Sequence, residues 1–212
     1  MVEHVYRRAS LAAVDAVIVA TDDPRIVDAV EAFGGVACLT RADHLTGTDR
    51  IAELTERLPC DIVVNVQGDE PFIAPAAIDA VVEPLQRDRT EVMTTLCRLL
   101  EPDDDVSSPD LVKVVRDLRG RALYFSRSAI PYPRTSIGAA PAAHIGVYGY
   151  RRATLLALGA LHPTPLELSE SLEQLRALEH GICIRVVESA YVSLSVDTPD
   201  DLERTRRKVQ LQ

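Results

Sequence analysis

Asp69 and Glu70 stand in the loop QGDEP, directly after the short apolar run DIVVNV (residues 61–66), and Asp197 stands in VDTPDD, after a second apolar run at residues 192–196. Carboxylates placed just past a buried strand can hold a hard divalent cation through oxygen ligands. Each also has a plainer reading. Gly-Asp-Glu is a common solvated turn, because Asp hydrogen-bonds its own loop. Asp197 can cap the helix that follows, although Thr198 is better placed for that and leaves Asp197 free to point elsewhere. Spacing alone does not bring Asp69 and Asp197 together across the 128 positions between them. Cys38, Cys60, Cys97 and Cys183 form no CxxC pair, so the expectation is reduced, mostly buried thiols rather than a zinc or redox centre.

The loops that carry these groups must be held by the elements around them, and apolar periodicity supplies those elements in alternation. A helical stretch Val2–Ala13 precedes a strand Ala16–Ala20, then a helix from Pro24 to Phe33, a Gly34-Gly35 stop and a strand Val36–Leu39. Thr48 can cap a helix Asp49–Leu58, and the nearly all-apolar DIVVNV run has the character of a buried parallel strand. A helix Pro75–Gln86, a strand Val92–Leu99 and an exposed acidic loop, Glu101–Asp110, follow. Residues 112–127 read as a hairpin turning at Arg119-Gly120, and Tyr132–Ala143 as a Pro/Gly/Ala-rich loop, so 112–143 forms an antiparallel insert or flap within a single domain, 1–212. After a strand His144–Tyr150 come one long helix, about Leu166–His180, ending at Gly181, strands Cys183–Glu188 and Val192–Val196, and a last helix opened by Thr198-Pro199. The whole predicts an α/β fold: three layers, Rossmann-like, around a mostly parallel mixed sheet with an antiparallel insert. Ligands of such sheets bind beyond the carboxyl ends of the strands, where QGDEP and VDTPDD fall.

Composition narrows the function classes. With 47% hydrophobic and 26% charged residues the chain is of ordinary globular type. No stretch approaches the roughly 18 apolar residues of a membrane span, and Glu3, His4, Arg7 and Arg8 occupy the place of a signal peptide's apolar region, so a cytoplasmic protein is expected. A net charge of −9 argues against sequence-independent binding of nucleic acid. The only lysines are Lys113 and Lys208, so phosphate contacts early in the chain cannot use one.

Taken in order, VIVATDDPRIVDAV, TRADHLTGTDRIAE, DIVVNVQGDEPFI, LVKVVRD, RALYFSRSAIPYPR, HIGVYGYRR, TPLELSESLEQLRALEHGI and VDTPDDLERTR resemble the 3-deoxy-manno-octulosonate (Kdo) cytidylyltransferases over almost the whole chain. Sialic acid cytidylyltransferases share the fold and the first metal-binding aspartate, but HIGVYGYRR and SLEQLRALEHG are similar to the Kdo type. The resemblance implies a nucleotide-diphospho-sugar transferase-like fold. It also implies attack of the sugar acid's anomeric hydroxyl on the α-phosphate of CTP, giving CMP-Kdo and pyrophosphate for lipopolysaccharide biosynthesis. It makes Asp69 and Asp197 the Mg²⁺ ligands, and assigns the sugar acid to Arg50, Gln67, His144, Tyr148, Glu173 and Gln174. These residue types suit a polyhydroxylated acid, because an Arg fork binds a carboxylate while Gln, His, Tyr and Glu exchange hydrogen bonds with hydroxyls. Arg50 also reads as a first-turn surface residue, and His144 and Tyr148 as packing residues on one strand face. A homodimer is inherited from the resemblance too.

The chain departs from the family at its start. The family opens on a strand and a loop of the form R-x-x-S-x-R-L-P-x-K-P-L that wraps the triphosphate, whereas Met1–Tyr6 match the beginning of the first helix. The expectation is an N-terminally shortened polypeptide, impaired in turnover and exposed at the neighbours of an interior strand. A start assigned too late on the gene and a shortened protein both account for this. The rival functions are cytidylyl transfer to another acidic sugar, sialic acid or an amino-substituted Kdo analogue, and a non-catalytic binding subunit.

Overall fold

Local turn chemistry sets most element boundaries. The computed structural model describes residues 1–135, 138, 140–196 and 198–209. After α1 (Val2–Ala9) and β1 (Val19–Thr21), the Asp23 carboxylate accepts the amide of Arg25 and starts α2 (Pro24–Ala32). Gly34, at φ +81°, ends it, and β2 (Ala37–Leu39) pairs parallel with β1. Thr46 caps α3 (Gly47–Glu56) by accepting the amide of Asp49, so the cap lies two residues before the expected Thr48, which is instead buried inside the first turn. Then come β3 (Ile62–Asn65), α4 (Pro75–Arg87) and β4 (Met93–Leu99). The predicted first helix stops early, at Ala9 instead of Ala13. Residues 10–13 turn, and the amide of Ala13 is taken by Asp79 on α4.

The hairpin is β5 (Lys113–Arg116) and β6 (Ala122–Ser126); the Asp117 carboxylate accepts the amides of Arg119 and Arg121 around Gly120, at φ +76°. β7 (Ala142–Arg151) begins two residues earlier than expected and leads into α5 (Arg152–Gly159), a helix that periodicity leaves unassigned. The long helix expected over 166–180 is two short ones, α6 (Pro165–Glu170) and α7 (Gln174–Glu179), separated at Ser171, whose φ is +51°. β8 (Arg185–Glu188) and α8 (Pro199–Val209) follow, α8 opened by Thr198, which accepts the Asp201 amide. Residues 192–196, expected as a strand, make no ladder among the described residues; Ser193 and Val196 instead bond the loop after β3.

β3, β4 and β5 each run antiparallel to β7, and β8 runs parallel to β4, so β3, β4, β5 and β8 share one direction and β7 opposes them. β7 is the splice of the six-stranded sheet: its second half lies between β3 and β4, its first residues between β5 and β4. β1 and β2 form a two-stranded sheet of their own. Helices cover both faces of the large sheet, as expected for three layers. Met93, Tyr148, Tyr150, Leu155, Leu158 and Leu175 pack one face, with α3, α5 and α7; Ile73, Ile78, Val81, Leu96, Ile145 and Val147 pack the other, with α4. Gly149 lets α4 approach β7, since a Cβ there would stand 2.8 Å from the Val81 carbonyl and 2.5 Å from Thr94 Oγ1. All four cysteines are free, but only Cys97 is buried; Cys38 and Cys60 are half-buried and Cys183 is exposed, against the expectation of mostly buried thiols.

Candidate functional site

Three segments converge at the carboxyl end of β3. Asn65, the last residue of that strand, is buried, and the first turn of α3 comes down on it: a Cβ on Gly47 would lie 3.9 Å from Asn65 Nδ2. The start of α7 faces the same turn, where Glu173 Oε2 accepts the backbone amide of Thr48 at 3.4 Å. β7 supplies the third wall, with Tyr148 directly opposite Asn65. Opposite β4 the register jumps by two residues: Leu96 pairs with Ile145 but Thr95 with Tyr148. His144 and Tyr148 share one face of the strand by alternation, with ring centroids 5.5 Å apart.

The electrostatics of this pocket follow from its burial. His144 hydrogen-bonds Thr95 Oγ1 at 2.9 Å and packs edge-on against Phe125. Burial pulls its pKa down to about 3, so the imidazole is neutral at physiological pH and can exchange hydrogen bonds but brings no positive charge. Tyr148 is held well above the usual phenol range by burial and by the nearby Glu173 carboxylate. Glu173 is raised by burial, against the lowering effect of its bonds to Thr48 and Thr46. Gln174 is 3% exposed and its Nε2 has no hydrogen-bond partner, nor has Asn65 Nδ2. Buried amides in folded proteins are normally paired. A cavity of about 10 Å³ lined by Thr48, Tyr150, Glu173, Gln174 and Arg176 opens beside them.

The other expected residues lie around this pocket. Arg50 leaves the same turn of α3 toward β1 and β2, with contacts to Thr40 Oγ1 at 2.6 Å, the Arg41 carbonyl at 3.1 Å and Asp22 at 3.3 Å. Gln67 is half-buried in the loop after β3, its carbonyl accepting the amide of Glu70. Asp69 is half-buried in that loop, and its carbonyl accepts the amide of Val196 at 3.0 Å. That bond spans the long sequence separation and brings Asp69 to the residue before Asp197, which itself lies outside the described residues. Glu70, considered with Asp69 as a possible cation ligand, is instead buried and engaged by Ser193 Oγ and, at 2.8 Å, by Tyr191 Oη. It fastens residues 191–196 against the loop. Among the described residues no three His, Cys, Asp or Glu side chains gather as a metal cluster.

A family model described as "Cytidylyltransferase" matches residues 1–187. The chain belongs to the cytidylyltransferase family. Its relatives place it among the 3-deoxy-manno-octulosonate cytidylyltransferases: that of Solibacter usitatus is 51% identical over 209 residues, 98% of this chain and 83% of the relative. That of Syntrophotalea carbinolica is 52% identical over 214 residues, 96% of this chain and 86% of the relative. A solved structure of CMP:2-keto-3-deoxy-manno-octonic acid synthetase complexed with CTP superposes with a TM-score of 0.94 at 44% identity, covering 99% of this chain and 87% of that one. A putative glucose-1-phosphate thymidylyltransferase from Bacillus anthracis, at 14% identity and a TM-score of 0.67, shares the fold.

In this cytidylyltransferase two charged groups close to the pocket escaped the sequence reading. Asp49 and Arg176 form an ion pair at 2.8 Å between α3 and α7, and Arg176 also pairs with Glu167 at 2.6 Å. The one local signal is the T-x-x-E pattern of Thr164 and Glu167, whose carboxylate accepts the Thr164 amide. Arg176 gives none, because a helical arginine usually faces water.

Proposed function

We propose that the protein transfers a cytidylyl group from CTP to 3-deoxy-manno-octulosonate in lipopolysaccharide biosynthesis. The sugar acid's anomeric oxygen bonds to the α-phosphorus, the bond from that phosphorus to the β-phosphate bridging oxygen breaks, pyrophosphate leaves, and the hydroxyl proton passes to solvent. The observation that carries this reading is the meeting of Glu173 and Gln174 with the first turn of α3, with Tyr148 near Glu173 and His144 beside Tyr148, in a chain of this family. Neutral His144, the Tyr148 hydroxyl and the unpartnered Gln174 amide offer donors to sugar hydroxyls, and Glu173 offers an acceptor. Arg50, held by Asp22 and Thr40, and Gln67 flank the crevice as further sugar-acid contacts.

Asp69 and Asp197 are proposed to hold Mg²⁺, with phosphate oxygens and water as its remaining ligands. Their chemistry fits, since Mg²⁺ takes hard oxygen donors and usually only one or two protein carboxylates. The bond from Val196 to Asp69 supports it by bringing the two segments side by side. Bound there, the ion would neutralise phosphate charge. The chain's own part is alignment, holding the sugar acid's hydroxyl against the nucleotide. None of the described helices is long and apolar enough to cross a membrane. We further propose a cytoplasmic homodimer, which light scattering would check.

The test is pyrophosphate release from CTP, Mg²⁺ and Kdo, run on this chain and on a form extended upstream by a strand and phosphate loop. Release with Kdo, and at least tenfold less with sialic acid or amino-substituted Kdo, is the expected result. A preference for another acid would overturn the substrate, and binding of Kdo without release by either form would point to a binding subunit.

A further inference from the structure

We propose that Arg176 is a positioning residue of the sugar-acid pocket: its guanidinium, clamped between Glu167 and Asp49, fixes α7 so that Glu173 and Gln174 face the first turn of α3. The inference rests on the reading of Glu173 and Gln174 as sugar-acid contacts given above. Arg176 is 2% exposed. Its Nε and Nη2 donate to the two oxygens of Glu167 at 2.9 and 2.6 Å, and Nη1 donates to Asp49 Oδ1 at 2.8 Å and to the Leu161 carbonyl at 3.4 Å. Each nitrogen of the fork is therefore engaged, and it ties three helices to one another.

The geometry requires a folded-back chain. On one straight helix residues 167 and 176 would stand about 13 Å apart along the axis. They meet because α6 and α7 are bent at Ser171 and brought side by side. Helices of six residues do not persist on their own, so the orientation of α7 depends on what grips it. Glu173 and Gln174 lie three and two residues before Arg176, at the start of the helix it holds. Asp49 in turn belongs to the first turn of α3, next to Thr48, whose amide Glu173 accepts. The clamp and the pocket thus share both of their walls. A buried ion cluster of this kind commonly adds little to stability over an apolar replacement of the same volume; what it does impose is direction, through a planar fork with fixed donors.

The test separates positioning from stability. Arg176→Lys keeps the charge and loses the fork, and Asp49→Asn keeps the shape and loses one charge. In calorimetric titrations of the full chain, Arg176→Lys is expected to weaken Kdo binding roughly tenfold while the Kd for CTP stays within about twofold, and Asp49→Asn to do the same more weakly. Kdo and CTP affinities falling together, or neither changing, would overturn the proposal and leave Arg176 a stabilising residue only. Should Arg176→Lys not fold, Asp49→Asn carries the same comparison. Glu173→Gln and Gln174→Ala guard the underlying reading: if they leave Kdo affinity untouched, or the unaltered chain binds no Kdo, the sugar-acid pocket itself is misplaced and this inference falls with it. If they weaken Kdo binding and the clamp variants do not, only the clamp is wrong.

Discussion

The wall made by α3, α6 and α7 borders the pocket and the segment 191–196 edges the loop after β3, and the two secure carboxylates in opposite ways. On the wall, the Glu167 and Asp49 side chains, 7% and 16% exposed, close on a guanidinium 3% exposed. On the edge, Glu70, 5% exposed, is met by the hydroxyls of Tyr191 and Ser193. Hydroxyls satisfy a carboxylate's lone pairs without cancelling its charge, whereas a guanidinium does both. The wall is therefore stiff, its two carboxylates fixed in direction by one guanidinium, which suits the aiming of contacts at a sugar. The edge keeps negative charge beside Asp69, which suits a cation.

Cutting the clamp is the harshest test of this contrast. Arg176→Met leaves two buried carboxylates facing each other and should cost roughly 3–5 kcal/mol, read as a fall of about 10 °C in the thermal midpoint. A fall of under 2 °C would show that the wall is not held by charge. On the edge, Asp69→Asn should lower turnover ~10²–10³-fold with a nearly unchanged midpoint, and a chelator should abolish turnover; equal loss of stability and activity would erase the distinction. Glu70→Gln keeps one acceptor and brings in an amide, so a cost of about 1–2 kcal/mol is expected, with faster hydrogen exchange at the Val196 amide.

The pocket gives a pH signature. His144 has a folded pKa of about 3, below its unfolded value, so between the two the unfolded chain binds a proton that the folded chain refuses. Stability then falls as pH drops below about 6.5, by at most ~1.4 kcal/mol per unit. His144→Gln should flatten urea-unfolding free energies between pH 6.5 and 5, and an unaltered slope would show that the imidazole titrates freely. The smallest effect is at the bend: Ser171→Gly should relieve its left-handed backbone and raise stability by about 0.5 kcal/mol, checked by the same titration.

Much of the fold was legible because its punctuation is local. Pro24, Gly34, Pro75, Gly181 and Thr198 act through their own backbone or their nearest neighbours, and each boundary falls where they place it. Where long-range bonds decide, the reading failed. Helical periodicity runs unbroken across Ser171, and bonds formed in three dimensions, Glu167 to Arg176 and Glu179 to the Leu166 amide among them, fold the segment in two. Residues 192–196 alternate like a strand, but their partners are the Glu70 side chain and the Asp69 carbonyl rather than a neighbouring ladder. The named pocket residues came from family resemblance, not from spacing. The structure sets His144 beside Tyr148 and Tyr148 near Glu173, lines a small cavity with Glu173 and Gln174, and turns Arg50 toward Asp22.

β7 also governs the order in which the chain can be assembled. Its residues 142–151 pair with 62–65, 93–99 and 113–114; β5 has β6 beside it in the hairpin, but neither β3 nor β4 has a partner among the described strands until residues 142–151 have been made. A nascent chain emerging from the ribosome would carry β3 and β4 as unpaired apolar edges through most of its synthesis, joining them when β7 arrives and leaving the far edge of β4 to β8. The window of greatest danger for this protein is thus the interval before Arg151 emerges, and substitutions that slow the docking of β7 should lower soluble yield more than they lower the stability of molecules that have folded.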